Sequence, residues 1–138
     1  MTTRIKASIN DSEYLEADVI FVCSNCDYDF INSKVKLENY IKNIDQISKK
    51  IKNNCWLVIQ STLPPGTTDK ILEPLIKKNL KKRGIKNFYI CHSFERITPG
   101  KDYYSSMKNV ERIIGGKNQK SVKNTKKIFE NIFNLKSN

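Results

Sequence analysis

The 138-residue sequence lacks several features that would assign it to a function class at once. No hydrophobic run approaches the ~20 residues that a transmembrane helix needs, and residues 1–6 lack the apolar segment of a secretory signal peptide. No G-x-G-x-x-G turn for a dinucleotide pyrophosphate is present. The single histidine, His92, and the single C-x-x-C pair, Cys23–Cys26, are too few to suggest a zinc site. Because both apolar segments are missing, we expect a cytoplasmic protein. We also expect one domain, because the chain has no room for a cofactor domain and a substrate domain together.

The four cysteines allow two interpretations. Cys23 and Cys26 have the spacing of a redox pair or of half a zinc site. Cys23, Cys55 and Cys91 also lie in or beside apolar runs, where a free thiol behaves as a small hydrophobic side chain. We favour the packing role for all four.

The net charge of +11 resides in the second half of the chain. Residues 1–60 carry eight basic and eight acidic side chains, so residues 61–138 hold the entire excess. A basic half is typical of proteins that bind nucleotides, nucleic acid or a membrane surface. Only four of the 25 basic residues are arginine, however, and nucleic-acid sites favour arginine. A general lysine bias is the preferred explanation, and we expect neither a nucleic-acid nor a membrane partner.

Short apolar runs alternate with segments of helical periodicity along the chain. This alternation predicts βαβ crossovers and a parallel sheet, an α/β fold. In the second helix Thr67 or Thr68 is the candidate N-cap and Gly84 the candidate C′ residue. In the last helix an apolar face is expected from Val122, Ile128, Phe129 and Ile132. The expected strands are residues 18–23, 55–60, 87–91 and, more weakly, 110–114; the expected helices begin near residues 35, 67 and 121.

Three polar loops follow the first three predicted strands: residues 24–28, 61–67 and 92–100. Ligands of parallel sheets bind outside the carboxyl ends of the strands, so the three loops predict one composite site. Ser61 and Thr62 allow two interpretations: they bind a cofactor amide, a phosphate or a catalytic water, or they serve as helix-entry residues. Glu95 and Arg96 could act as a base and an anion anchor, or could be an exposed charged pair. A lone histidine such as His92 at a strand end is more often a packing residue than a general base.

Four segments at these loops resemble one family. They are Glu16–Cys23 (EADVIFVC), Val58–Thr68 (VIQSTLPPGTT), His92–Gly100 (HSFERITPG) and Arg112–Gly116 (RIIGG). In order and spacing they resemble the UDP-glucose/GDP-mannose dehydrogenase family of nucleotide-sugar 6-dehydrogenases, on the branch that acts on UDP-N-acetylhexosamines. The resemblance implies that residues 1–138 are a partial domain, the second half of a Rossmann-like NAD-binding domain.

The resemblance also implies a reaction and a set of site residues. Such enzymes oxidise the C6 alcohol of a UDP-sugar to a carboxylate with two NAD⁺, through an aldehyde and a cysteine-bound thioester. By position, Thr62 would bind the catalytic water and Glu95 would assist thioester hydrolysis. The implied NAD contacts are Ser24, Asn25, Cys26, Asp27, Tyr28, Ser61, Thr62 and Pro99. The implied contacts with the nucleotide sugar are Phe94, Glu95, Arg96, Ile97, Thr98 and Pro99. The sequence departs from the family at residues 24–28, where a proline-containing loop is usual.

Other parts that the family's reaction requires do not occur in these 138 residues. The glycine-rich turn lies upstream in the family, and the nucleophilic cysteine, the catalytic lysine and the catalytic asparagine lie downstream. We expect the chain alone to be inactive. The alternative is a basic half-Rossmann module that binds nucleotides or nucleic acid without catalysis, which would show steeply salt-dependent binding. A half-domain also exposes a sheet edge, which predicts self-association through that edge or a rearranged sheet.

Overall fold

A four-stranded sheet forms the centre of the molecule. The structure is a computed structural model that describes residues 5–96, 100, 103 and 111–133. The order across the central sheet is β1-β4-β5-β6, and β2 and β3 form a separate hairpin. Strands β1, β4 and β5 are parallel, whereas β6 runs antiparallel to β5. The strands are β1 Val19–Val22, β2 Asp27–Asp29, β3 Lys34–Lys36, β4 Cys55–Ile59, β5 Phe88–His92 and β6 Gly115–Gly116.

In the part of the chain that the structure describes, three α-helices flank the sheet. They are α1 Glu38–Ser48, α2 Glu73–Lys82 and α3 Gln119–Phe133. A 3₁₀ helix, Asp11–Leu15, precedes β1, and a π-helical turn, Thr68–Leu72, leads directly into α2. Helices α1 and α2 pack on one face of the sheet, and α3 contacts β5 and β6 from the other. Within the described residues, no helix has both the length and the apolar composition to cross a bilayer.

The main hydrophobic core lies between the sheet and the helices α1 and α2. Alternate residues of the parallel strands point into it, as the period of a β-strand requires. Its fully or almost fully buried members are Ile20, Val22, Tyr40, Ile44, Ile47, Ile51, Cys55, Leu57, Ile59, Leu72, Ile76, Leu80 and Ile90. On the opposite face, Phe129 of α3 packs against Phe21, with ring centroids 5.7 Å apart. The Trp56 and Tyr89 rings stack there at 4.0 Å across β4 and β5.

The predicted α/β architecture and the first three strands are confirmed, but the fourth strand was predicted in the wrong place. Described residues 111–114 form no strand, and the pairing with β5 falls on Gly115–Gly116. A Cβ on Gly116 would lie 3.0 Å from Val122 Cγ2 and 3.1 Å from Cys91 Sγ. The backbone of β6 can therefore approach β5 and α3 closely because its two residues are glycines, which have no side chain.

The residues of the β2–β3 hairpin were predicted as a polar loop followed, from near residue 35, by the first helix, but α1 begins at Glu38. The strands of the hairpin have only three residues each, and each contains a single apolar side chain, Tyr28 or Val35, so the alternation is too short to predict a strand. Asp29 closes the turn by accepting hydrogen bonds from the backbone N–H groups of Ile31 and Asn32. The side chains of Phe30 and Ile31 at the tip are 86% and 94% exposed.

Two details of the predicted helices are also corrected. The Thr67 side chain does not cap the second helix, because its hydroxyl donates to the Pro64 carbonyl at 2.7 Å. The predicted C′ residue is confirmed, since Gly84 has φ +69°. In α3 the buried residues are Ser121, Thr125 and Phe129, whereas Ile132 is 53% exposed. At Ser121 a small side chain is needed, because its Cβ lies 3.3 Å from the position that a Cβ of Gly116 would take.

Candidate functional site

The carboxyl ends of the parallel strands surround a cavity of about 360 Å³. We call it the strand-end cavity. Its walls are the loop after β1, the loop after β4 and the segment after β5, so the predicted composite site has a physical counterpart. Its lining residues are Cys23, Ser24, Asn25, Cys26, Gln60, Ser61, Thr62 and Glu95.

Hydrogen bonds tie these three loops to one another. The Ser61 hydroxyl donates to the Ser24 carbonyl at 2.6 Å, and the backbone N–H of Glu95 donates to the Gln60 carbonyl at 2.9 Å. The Ser24 hydroxyl in turn accepts from Asn43 Nδ2 of α1 at 2.6 Å. These hydrogen bonds therefore fix the three loops relative to one another and to α1.

The residues singled out from the sequence fall into three groups. Six of them line the strand-end cavity: Ser24, Asn25, Cys26, Ser61, Thr62 and Glu95. Four lie elsewhere: Asp27 and Tyr28 in β2, Phe94 at a second cleft, and Arg96, which donates to the Glu111 carbonyl at 3.2 Å. Ile97, Thr98 and Pro99 lie outside the described residues. The roles of all of them in binding remain predictions.

Two lining residues, Cys23 and Gln60, were not among the predicted site residues. The Cys23 thiol donates to Gln60 Oε1 at 3.3 Å across β1 and β4. Both residues directly follow a buried strand, so the rule that located the loops could have included them. Asn43, which holds Ser24, gave no comparable signal because it lies on α1, distant in sequence from every loop.

The thiols near the cavity are poor nucleophiles. Burial raises the pKa of Cys23, and the charge of Glu95 raises it further. Burial also raises the pKa of Cys26, with a contribution from Asp27. At the opposite, amino end of β4, burial raises the pKa of Cys55 to about 11. The raised pKa values keep these thiols protonated at neutral pH. Since the thiolate is the reactive form, the thiols react poorly. Among the described residues, no group of three or more His, Cys, Asp or Glu side chains could hold a metal ion.

A larger cleft of about 780 Å³ lies beside the strand-end cavity, between the loop after β4, β5 and β6. The loop Leu63–Gly66 lines one side, Phe94 and Ile113 another, and Glu73 and Lys117 its far end. The His92 ring also lines this cleft, and both of its nitrogens have polar neighbours. Nε2 lies 3.0 Å from the Ser61 carbonyl oxygen, and Nδ1 lies 3.3 Å from Thr68 Oγ1.

Glu73, the first residue of α2, is paired with two lysines. Its Oε1 lies 2.6 Å from Lys77 Nζ and 2.7 Å from Lys117 Nζ, and its side chain is 10% exposed. Burial alone raises the pKa of Glu73, but the hydrogen bonds and charges of Lys117 and Lys77 outweigh it, so the pKa is lowered overall. The pair with Lys117 joins α2 to the segment between β6 and α3.

We expect Glu73→Gln to lower the free energy of unfolding by about 1 kcal/mol at pH 7. A carboxyl whose pKa is lowered by folding stabilises the protein above its unfolded-state pKa, and this stabilisation is lost as the pH falls through the folded-state pKa. The difference between wild type and variant should therefore close at a pH below the lowered pKa. Urea unfolding at pH 7 and at successively lower pH measures it. Glu130→Gln, which removes only a 3.6 Å pair with Lys126, is the control. A difference that persists unchanged in acid would contradict the prediction.

Comparison with known proteins gives the same family as the motifs. Residues 1–133 match the model described as the UDP-glucose/GDP-mannose dehydrogenase family, NAD binding domain. A UDP-N-acetyl-D-mannosamine dehydrogenase of Methanocaldococcus jannaschii is 30% identical over 147 aligned positions, which cover 94% of this chain. The alignment covers 30% of that relative, so the chain spans less than a third of its length.

Solved structures of dehydrogenases share the fold. A dehydrogenase of NDP-N-acetyl-D-galactosaminuronic acid from Methanosarcina mazei superposes with a TM-score of 0.74 at 22% identity, over 84% of this chain and 24% of the other. A GDP-mannose dehydrogenase from Pseudomonas aeruginosa gives 0.73 at 19% identity, over 92% of this chain and 29% of the other. At these identities, the comparison with solved structures shows a shared fold alone.

Proposed function

Because the chain belongs to the UDP-glucose/GDP-mannose dehydrogenase family, as part of its NAD-binding domain, we propose that it supplies half of the NAD site and the water-positioning groups of a nucleotide-sugar 6-dehydrogenase. The 138 residues alone do not complete the oxidation. The name of the Methanocaldococcus jannaschii relative supports a UDP-N-acetylhexosamine as the nucleotide sugar of the whole enzyme.

The convergence of three loops on the strand-end cavity is the observation that carries this proposal. Ser24, Thr62 and Glu95 come from three different strand ends and line one cavity of about 360 Å³. Ligands bind at this edge in parallel α/β sheets. The volume is at the low end of the roughly 300–1,000 Å³ usual for small-molecule sites, which suits part of a dinucleotide better than the whole of it.

The donors in the cavity fit a polar part of NAD. Asn25 offers an amide and Thr62 a hydroxyl, and both side chains are exposed to solvent at the cavity. When bound, NAD⁺ supplies the hydride acceptor of the reaction. The Thr62 hydroxyl orients a water molecule by hydrogen bonding, and the Glu95 carboxylate accepts a proton from it as a general base. Ser61 acts behind them, because its hydroxyl already donates to the Ser24 carbonyl.

Titration of the chain with NAD⁺ by calorimetry tests this proposal. We expect saturable binding, which Thr62→Val weakens about fivefold through the loss of one hydrogen bond of about 1 kcal/mol. We also expect no NADH absorbance when the chain is mixed with NAD⁺ and UDP-N-acetylmannosamine.

The matched control for Thr62→Val is Thr68→Val, which removes the same hydroxyl from the neighbouring cleft. Its NAD⁺ affinity should stay within about twofold of wild type, as expected for a side chain outside the site. Equal losses in both variants would place NAD elsewhere. Production of NADH by the chain alone would overturn its proposed inactivity.

A further inference from the structure

We infer that His92 is a positioning residue for the strand-end cavity. It holds the peptide between Ser61 and Thr62 in the orientation that presents the Thr62 amide N–H to a ligand. The inference rests on the proposed function for the identity of that ligand, NAD, but the orientation of the peptide can be tested without it.

The neighbours of His92 determine which ring nitrogen carries hydrogen. Nε2 lies 3.0 Å from the Ser61 carbonyl oxygen, and a carbonyl oxygen can only accept, so Nε2 is protonated. Nδ1 lies 3.3 Å from Thr68 Oγ1, a hydroxyl that can either donate or accept. The bond to Ser61 is therefore available to the neutral ring and to the imidazolium alike.

Ser61 is held through two of its groups. Its hydroxyl donates to the Ser24 carbonyl at 2.6 Å and to the Val22 carbonyl at 3.3 Å, and its carbonyl accepts from His92. Ser61 is 9% exposed, so bulk water has little access to compete for its hydrogen bonds. Together they fix both the side chain and the peptide plane that follows it.

The orientation of this peptide determines where the Thr62 N–H points. None of the described peptide bonds is cis, and in a trans peptide the C=O and the following N–H point in opposite directions. The Ser61 carbonyl points to His92, which lines the larger cleft, so the Thr62 N–H points away from that cleft. Thr62 lines the strand-end cavity, and its N–H has no acceptor among the described residues.

A preoriented backbone N–H is an effective donor to a carboxamide, hydroxyl or phosphate oxygen, because no side chain has to be ordered when the ligand binds. Without His92 the Ser61–Thr62 peptide is held only through the Ser61 hydroxyl, and the N–H can turn away. His92 touches neither the cavity nor its contents, so its effect on the ligand passes through this peptide.

Two substitutions of His92 separate the bond to Ser61 from general packing. Glutamine can place an N–H donor near the position of the ring Nε2, whereas asparagine ends near Nδ1 and cannot reach the Ser61 carbonyl. We expect His92→Asn to weaken NAD⁺ binding about 5- to 10-fold, the effect of roughly one hydrogen bond. His92→Gln should stay within about twofold, as should Thr68→Val, which leaves the Nε2 bond intact. Urea midpoints of the two His92 variants should agree.

The Thr62 amide resonance in ¹H–¹⁵N spectra of the ligand-free chain is the second measurement. We expect it to shift in His92→Asn and to stay near its wild-type position in His92→Gln. Equal shifts or equal losses of affinity in the two variants would reduce His92 to a packing residue. Failure of wild type to bind NAD⁺ would count against the proposed function, and the amide shifts would then decide this inference alone. If His92→Asn does not fold, the wild-type ring decides, since an unprotonated Nε2 overturns the inference.

Discussion

Replacing Leu57 by alanine is expected to lower the free energy of unfolding by about 3 kcal/mol. Leu57 is 1% exposed and lies in the middle of β4, which pairs with β1 on one side and β5 on the other. Its side chain points into the core beneath α1 and α2. The substitution removes buried apolar surface and leaves a cavity that strands held on both sides cannot close. Urea unfolding at equilibrium measures the loss.

Ile31→Ala is the matched control, because it removes a similar aliphatic side chain that is 94% exposed at the tip of the hairpin. Its free energy of unfolding should stay within about 0.5 kcal/mol of wild type. A loss below about 1 kcal/mol for Leu57→Ala would mean that β4 is not the centre of the sheet.

The chain is expected to self-associate through β1, and Val19→Pro is expected to abolish the association. In the described part of the chain, β1 has β4 as its single strand neighbour. Trp56 N–H bonds to the Asp18 carbonyl, and Gln60 N–H bonds to the Val22 carbonyl. Since alternate residues of a parallel strand face the same neighbour, the N–H and C=O groups of Val19 point to the open side. Such an edge is a template for another strand.

Sedimentation velocity measures this association. Proline at residue 19 removes a donor on the open side only, and the first position of a strand tolerates proline. Val19→Ala keeps the donor and should sediment like wild type. A wild-type chain that sediments as a single monomeric species would refute association through this edge. In the described part of the chain β1 lies at the edge of the sheet, which is the arrangement that self-association requires.

The sequence was sufficient to predict the parallel part of the sheet but not its antiparallel border. The strands β1, β4 and β5 are short and mostly apolar, because one face of each is buried and the other is at least partly covered, and such a run is a strong signal. The pairing of Gly115 and Gly116 depends instead on the close approach of Cys91 and Val122, a contact that no local pattern reveals.

The candidate site was predictable to the same extent. The convergence of Ser24, Thr62 and Glu95 follows from parallel topology, since the carboxyl ends of neighbouring strands meet at one edge. The separation of Phe94 from Glu95 could not be predicted in this way. Consecutive residues after β5 face different cavities, and this depends on the path of the backbone beyond the sheet.

The stack of Trp56 on Tyr89 gives the protein an optical signal of its own. The chain has one tryptophan, and its ring lies 4.0 Å from that of Tyr89 at an angle of 10°. These rings belong to β4 and β5, which are neighbours in the sheet but more than 30 residues apart in sequence. The emission of Trp56 therefore reports the pairing of the two central strands without any label. The wavelength of its emission maximum and the emission intensity should change when β5 separates from β4, even if the helices retain their far-UV circular dichroism.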